Sequence, residues 1–282
     1  MDNELMNPPL SRETIKSKTH QDKLVNGLSE ASLNSISSRV QLHGTGDNFR
    51  TPFMYRFLLF ILPPIFRTFT NIRFVGLENI PTDGAAIFIG NHTSHIDPFV
   101  KIMAGMRPMH YLAKEEHFEK QNTRILMEST GQIETLRKQG GTEALSRAVD
   151  VLSADIPMAI FPEGTRSRRK QAPFLARGKT GAARLAAKFP NIPVVPMAII
   201  GARNFMSPGD KIFNPLKKVT VNVGQPISFG DWISHSEGGS LDDEDIRNIL
   251  ELDDHGQRSI MKSLYREFTD QIIESLRRLG AP

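Results

Sequence analysis

The sequence predicts an α/β fold: a single domain with a mixed central sheet flanked by helices, preceded by an N-terminal extension with an amphipathic, interfacial segment. Two observations predict it. From Ile72 onward, short apolar runs of strand length alternate with segments of helical period, the pattern of a sheet with helices packed on it. The chain has 282 residues, 39% hydrophobic and 23% charged, which suits one domain with a real core and some tail. Separately, Pro196 lies inside the apolar run 194–200, and proline within a strand implies an edge or a bulge.

Each element follows from local composition. Residues 1–50 are polar and rich in Ser and Asn. Leu24, Leu28, Ile36 and Val40 trace a weak amphipathic stripe, but the Ser and Asn content argues against a stable helix. This part reads as a flexible or loosely docked extension ahead of a domain over 51–282. The most apolar run, residues 57–66, is bracketed by Arg56 and Arg67. Ten residues of helix reach only ~15 Å, half of a ~30 Å hydrocarbon core, and Pro63-Pro64 is expected to break the helix. The apolar segment near 53–70 therefore does not span a membrane. It reads as an anchor dipped into one leaflet, with Arg56, Arg67 and Arg73 at anionic headgroups, against the alternative of a core helix with solvated ends. Strands are predicted at 72–75, 85–89, 109–112, 132–136, 158–161, 194–200 and 219–223. Helices are predicted at 98–105, 142–153, 179–188 and 259–279. The Gly-Gly-Ser and acidic run at 238–254 reads as an exposed insertion.

Charge is more informative by position than by total. Net charge is +4, but residues 161–188 hold eight Lys/Arg against one acid, and residues 237–254 hold eight acids against one Arg. This points to a local anion site. Nucleic acid is set aside as a partner, because aromatics for base stacking are sparse in the basic stretch and no nucleic-acid module signature occurs. The chain has no cysteine, which excludes disulfides, thiolate metal sites and an acyl-enzyme on Cys. The polar, charged N-terminus does not read as a secretory signal.

The chemistry is organised around Gly90-Asn91-His92-Thr93-Ser94-His95-Ile96-Asp97-Pro98. It follows a buried strand, so His92 falls on the rim of a sheet. Asp97-Pro98 reads as a helix start, with Asp97 as cap and Pro98 in the first turn. A loop between them can fold the carboxylate back onto the imidazole, and a histidine so held is a general base of fixed tautomer. Ser94 as a nucleophile is set aside because no nucleophile-elbow pattern occurs. His95 is expected to be structural. A metal site from His92, His95 and Asp97 lacks a fourth ligand, so none is expected.

A histidine, four residues and an aspartate, between Asn and Pro, resembles the signature of the glycerolipid acyltransferases, in particular the 1-acylglycerol-3-phosphate acyltransferases. Further blocks follow in the family's order: Gly131 to Arg137, then Pro162-Glu163-Gly164-Thr165-Arg166, then the strand with Pro196. The resemblance covers about residues 74–201. It implies a general base, His92, oriented by Asp97, and a substrate-binding set of Arg137, Glu163, Gly164, Thr165, Arg166 and Lys179. Arg137 and Arg166 offer planar forks suited to a phosphate, Gly164 a tight turn, and Glu163 a positioning group that pairs with Arg or holds the loop. Implied co-substrates are a lysophospholipid acceptor and an acyl thioester donor, acyl-CoA or acyl carrier protein, with no resident cofactor. The implied location is peripheral or monotopic on a membrane surface, at its cytoplasmic face. A sibling enzyme with another acceptor (a lyso-ornithine lipid, glycerol 3-phosphate or another lysophospholipid) and an inactive membrane-binding scaffold are the alternatives.

Overall fold

A computed structural model describes residues 27–135, 142–210, 212 and 214–282. Seven strands form one sheet: β1 (Ile72–Val75), β2 (Ile87–Gly90), β3 (His110–Lys114), β4 (Ile133–Thr135), β5 (Met158–Ile160), β6 (Val194–Ile200) and β7 (Val219–Val223). Their order is β1-β7-β6-β2-β5-β3-β4. All neighbours are parallel except β6 and β7, so the sheet is mixed. Pro196 is not on an edge, since β6 lies between β2 and β7. It sits where the β7 ladder is interrupted, between the pairs Met197–Val223 and Val194–Ile227.

Eleven α-helical segments occur among the described residues. They are α1 (Glu30–Arg39), α2 (Phe53–Phe69), α3 (Asp97–Gly105), α4 (Glu116–Glu119), α5 (Gln121–Ser129), α6 (Thr142–Ser153), α7 (Gly181–Lys188), α8 (Ala202–Phe205), α9 (Phe229–Ser234), α10 (Asp243–Glu251) and α11 (Asp254–Arg278). Alternation along the strands divides the interior into two cores. Ile87 and Ile89 of β2 join Leu185 of α7 and Phe268 and Leu276 of α11 on one face. Phe88 joins Val100 and Met103 of α3 and Val221 of β7 on the other.

Three segments depart from the sequence-based expectation. Residues 30–42 are packed: Ile36, Val40 and Leu42 are buried, and Ser37 and Lys188 exchange two hydrogen bonds that fasten α1 to α7. A Ser-rich helix of poor intrinsic propensity is held by tertiary contacts. Leu24 lies outside the described residues. The acidic run is no insertion either. Asp242 and Asp245 form a reciprocal capping box for α10, whose Ile246 and Ile249 enter the core. Finally, α2 runs through Pro63-Pro64 to Phe69. It is tied down on both sides of the prolines: the Tyr55 hydroxyl donates to Met109 O and accepts from Met109 N, and Arg67 donates to Met103 O. Much of its remaining surface is apolar and exposed, with Phe53 at 81%, Phe60 at 80% and Phe69 at 71%. No helix of the described residues is long and apolar enough to cross a membrane.

Candidate active site

β2 and β5 are parallel neighbours, paired from Ile87–Met158 to Ile89–Ile160, so the loops that follow them leave from one edge of the sheet. The crevice at the carboxyl ends of parallel strands is where α/β folds place ligands. One loop carries His92, the other Glu163 to Arg166.

The first loop is over-determined. Asn91 is buried, and its amide exchanges hydrogen bonds with Ile199 N and O, which fixes the strand end against β6. Asp97 does not cap α3 as expected. It occupies the helix's first turn with its carboxylate turned back, so that Oδ2 accepts from Thr93 N (2.6 Å), Ser94 N (2.7 Å) and His92 Nδ1 (2.9 Å). An ionised carboxylate only accepts, so Nδ1 carries the proton and Nε2 is the basic nitrogen. Nε2 has no hydrogen-bond partner among the described residues, and the His92 side chain is 18% exposed. The ring stacks on Phe161 at 4.1 Å. Burial lowers the His92 pKa from its ordinary value, outweighing Asp97, which raises it. The imidazole is therefore neutral, and a base, at physiological pH.

The second loop is bolted to the first. Ser167 N donates to His92 O, and Glu163 Oε1 accepts from His92 N at 2.7 Å while Oε2 accepts from Ala176 N at 3.0 Å. Both oxygens of Glu163 are engaged with backbone, the geometry of a strut between loops. Burial pushes its carboxyl up to about 7. Gly164 has φ +71°, a conformation that favours glycine, and the Lys179 side chain lies over it. Thr165 and Lys179 are exposed at the same turn. Arg166 reaches across to His95 Nε2, which must accept, so His95 is held neutral; burial first, then Arg166, lowers the pKa of both His95 and His117. Arg166 is thus a cation beside His92, on whose pKa it acts. Arg137 lies outside the described residues. Gly131 adopts φ +61° against Pro52 and His110, which gives it a backbone reason to be glycine. The Ser94 hydroxyl donates to Met206 O.

Sequence reasoning missed Lys101. It lies one helical turn after Asp97 and is fully buried. Its ammonium donates to Phe88 O at 3.1 Å and sits over the rings of Phe161 (4.8 Å) and Tyr111 (5.5 Å). Gly90 makes room: a Cβ there would lie 3.2 Å from Nζ. Burial pushes the Lys101 pKa down to about 7, opposed by Asp97, whose Oδ1 is buried without a hydrogen-bond partner.

Residues 71–200, which contain both loops, match the family model described as Acyltransferase. The chain carries an acyltransferase-family domain. Similar proteins include a 1-acyl-sn-glycerol-3-phosphate acyltransferase of Bacillus subtilis, 25% identical over 181 residues, covering 64% of this chain and 85% of that one. One from Chlamydomonas reinhardtii is 30% identical over 163 residues, 56% of this chain and 47% of that one. An uncharacterised protein of Mycobacterium tuberculosis is 28% identical over 232 residues, 71% of this chain and 63% of that one. The chain spans less than two thirds of the length of the mycobacterial and algal proteins it matches. The crystal structure of the 1-acyl-sn-glycerophosphate acyltransferase PlsC from Thermotoga maritima shares the fold. Its TM-score is 0.53 at 21% identity, with 77% of this chain and 80% of that chain covered.

Proposed function

We propose that the protein transfers a fatty acyl group from a thioester to the free hydroxyl of a 1-acylglycerol 3-phosphate, forming phosphatidic acid. The observation that carries this reading is the His92–Asp97 pair, with Nε2 unpartnered, on the edge that also presents Arg166. His92 Nε2 takes the hydroxyl proton as the oxygen attacks the thioester carbonyl. The new ester C–O bond forms, the C–S bond breaks, and the proton passes from His92 to the departing thiolate. Asp97 holds the imidazole and stabilises its transient positive charge. Arg166, with Lys179 and the backbone at Gly164, faces the acceptor phosphate, while Glu163 keeps the two loops in register. Direct transfer needs no acyl-enzyme, consistent with a chain that has no cysteine. A scaffold that had lost catalysis would have no use for a buried, fully oriented His–Asp pair.

The test is thiol release from a long-chain acyl thioester with a panel of acceptors: 1-acylglycerol 3-phosphate, glycerol 3-phosphate, lysophosphatidylcholine and lyso-ornithine lipid. The first is expected to be turned over best. Arg166→Ala is expected to raise KM for it by roughly 10- to 100-fold, the worth of one charge-assisted phosphate contact, with a smaller change in kcat. Unaltered acceptor dependence removes Arg166 from the phosphate site.

The apolar face of α2 fits the interfacial layer of a bilayer, where the acceptor resides. Phe57 and Phe60 are 48% and 80% exposed, and each phenyl group contributes up to about 1.5–3 kcal/mol when buried. Phe57→Asp/Phe60→Asp is expected to weaken sedimentation with phosphatidylglycerol vesicles by about tenfold or more while leaving thermal stability unchanged. Undiminished vesicle binding would reject this face as the anchor.

A further inference from the structure

On the sheet face that carries α7 and α11, these helices frame an open groove of about 560 Å³ that no step above uses. Five cations line it, Arg39, Arg184, Arg258, Lys262 and Arg266, against one carboxylate, Asp254. Arg266 is engaged by Asp270 and Gly178 O, and Arg184 donates to Gln41 O. Among the described residues, Arg39, Arg258 and Lys262 have no carboxylate at ion-pair distance. Converging like charges in a concavity focus a positive field that a polyanion would neutralise. Thr180, at one end of the groove, precedes α7, whose first turn has no side-chain cap, so its free N–H groups add to that field. Met261 and Tyr265, both more than nine-tenths buried, close the groove's floor.

The groove also adjoins the candidate active site. Lys179, next to Thr180, donates its N–H to Pro162 O and lays its side chain over Gly164. The neighbouring Glu163 accepts from His92 N. A ligand anchored in the groove could therefore pass an extended arm over Lys179 to His92.

We propose that this groove binds the phosphorylated nucleotide end of a coenzyme A thioester, so that the donor enters between α7 and α11 and reaches His92 past Lys179. This rests on the acyl-transfer reading above. The ligand's clustered phosphates match the cations, and its extended pantetheine arm matches the path over Lys179.

The experiment compares the full chain with the exposed charge reversal Arg258→Glu/Lys262→Glu. Titration calorimetry with adenosine 3′,5′-bisphosphate measures binding directly, without turnover. Kinetics with acyl-CoA and with acyl-pantetheine, which lacks the nucleotide, measure the donor. The reversal is expected to weaken nucleotide binding and raise KM for acyl-CoA, each by roughly tenfold or more. KM for acyl-pantetheine and kcat with either donor should stay within about twofold. Equal effects on both donors, or nucleotide binding that is absent or indifferent to the reversal, would overturn the proposal. So would reversal that instead abolishes use of an acyl carrier protein or binding to anionic vesicles while nucleotide binding is unchanged. If neither donor is turned over by the unaltered protein, the acyl-transfer reading fails by itself, and the calorimetry still decides the groove.

Discussion

His92→Ala is expected to reduce kcat by about 10³- to 10⁴-fold, because it removes the proton acceptor while leaving the substrate contacts in place. Asn91, Asp97, Glu163 and Ser167 hold the loop through backbone and carboxylate bonds, most of which do not involve the imidazole. The variant should therefore keep its circular-dichroism spectrum and melt within a few degrees of the parent. The pH profile separates a base from a bystander. Because burial places the His92 pKa below its ordinary value, kcat/KM should stay level as pH falls to the usual histidine range and decline only below it. Asp97 is what opposes that depression. Asp97→Asn should then move the acid limb further down, besides lowering kcat by about 10²-fold or more. An Asp97→Asn limb that stays in place, or His92→Ala with near-normal turnover, would end the general-base assignment.

The sequence exposed those parts of the site that are set by short spacing. His92 and Asp97 are five residues apart, and a strand followed by a turn and a helix start leaves few ways to arrange them. Gly164 announces its turn by being glycine after Pro162-Glu163. The relation between the two loops was legible only through the resemblance, since nothing local says that β2 and β5 are parallel neighbours. Glu163 shows the limit well. A lone acid among cations left an Arg pair and a loop tie both open, and its partners are two backbone N–H groups from separate segments. The same logic hid α1 and α10. Ser, Asn and Asp read locally as loop formers, yet here they serve as helix caps and inter-helix ties once a core holds the helices in place. Pro63-Pro64 misled for a related reason: the lost helix bonds of two prolines are outweighed when Tyr55 and Arg67 fasten the helix on either side.

Lys101→Met is expected to make the protein more stable and less active. A lysine with no exposed surface and one hydrogen bond is costly to keep charged, and its pKa of about 7 against an ordinary 10.5 expresses that cost. Between those two values the unfolded chain carries a proton on this side chain that the folded chain has released. Stability of the parent therefore rises with pH across that window, and the full penalty applies below it. Methionine fills the same slot without charge. The gain from Lys101→Met should thus be largest, on the order of 3–5 kcal/mol, at pH 6 and below. It should shrink by roughly 1.4 kcal/mol per unit as pH rises above 7, read from urea unfolding between pH 6 and pH 9. A buried cation retained at such a cost has a use nearby. Asp97 is one turn away with Oδ1 unpartnered, and Lys101 is one of the charges that lower the His92 pKa. Its removal should shift the acid limb of kcat/KM to higher pH, the direction opposite to Asp97→Asn, and reduce kcat by about tenfold. A purely structural lysine would leave the limb where it was. If Lys101→Met neither stabilises the protein nor moves that limb, the ammonium is not a charged neighbour of the His92–Asp97 pair.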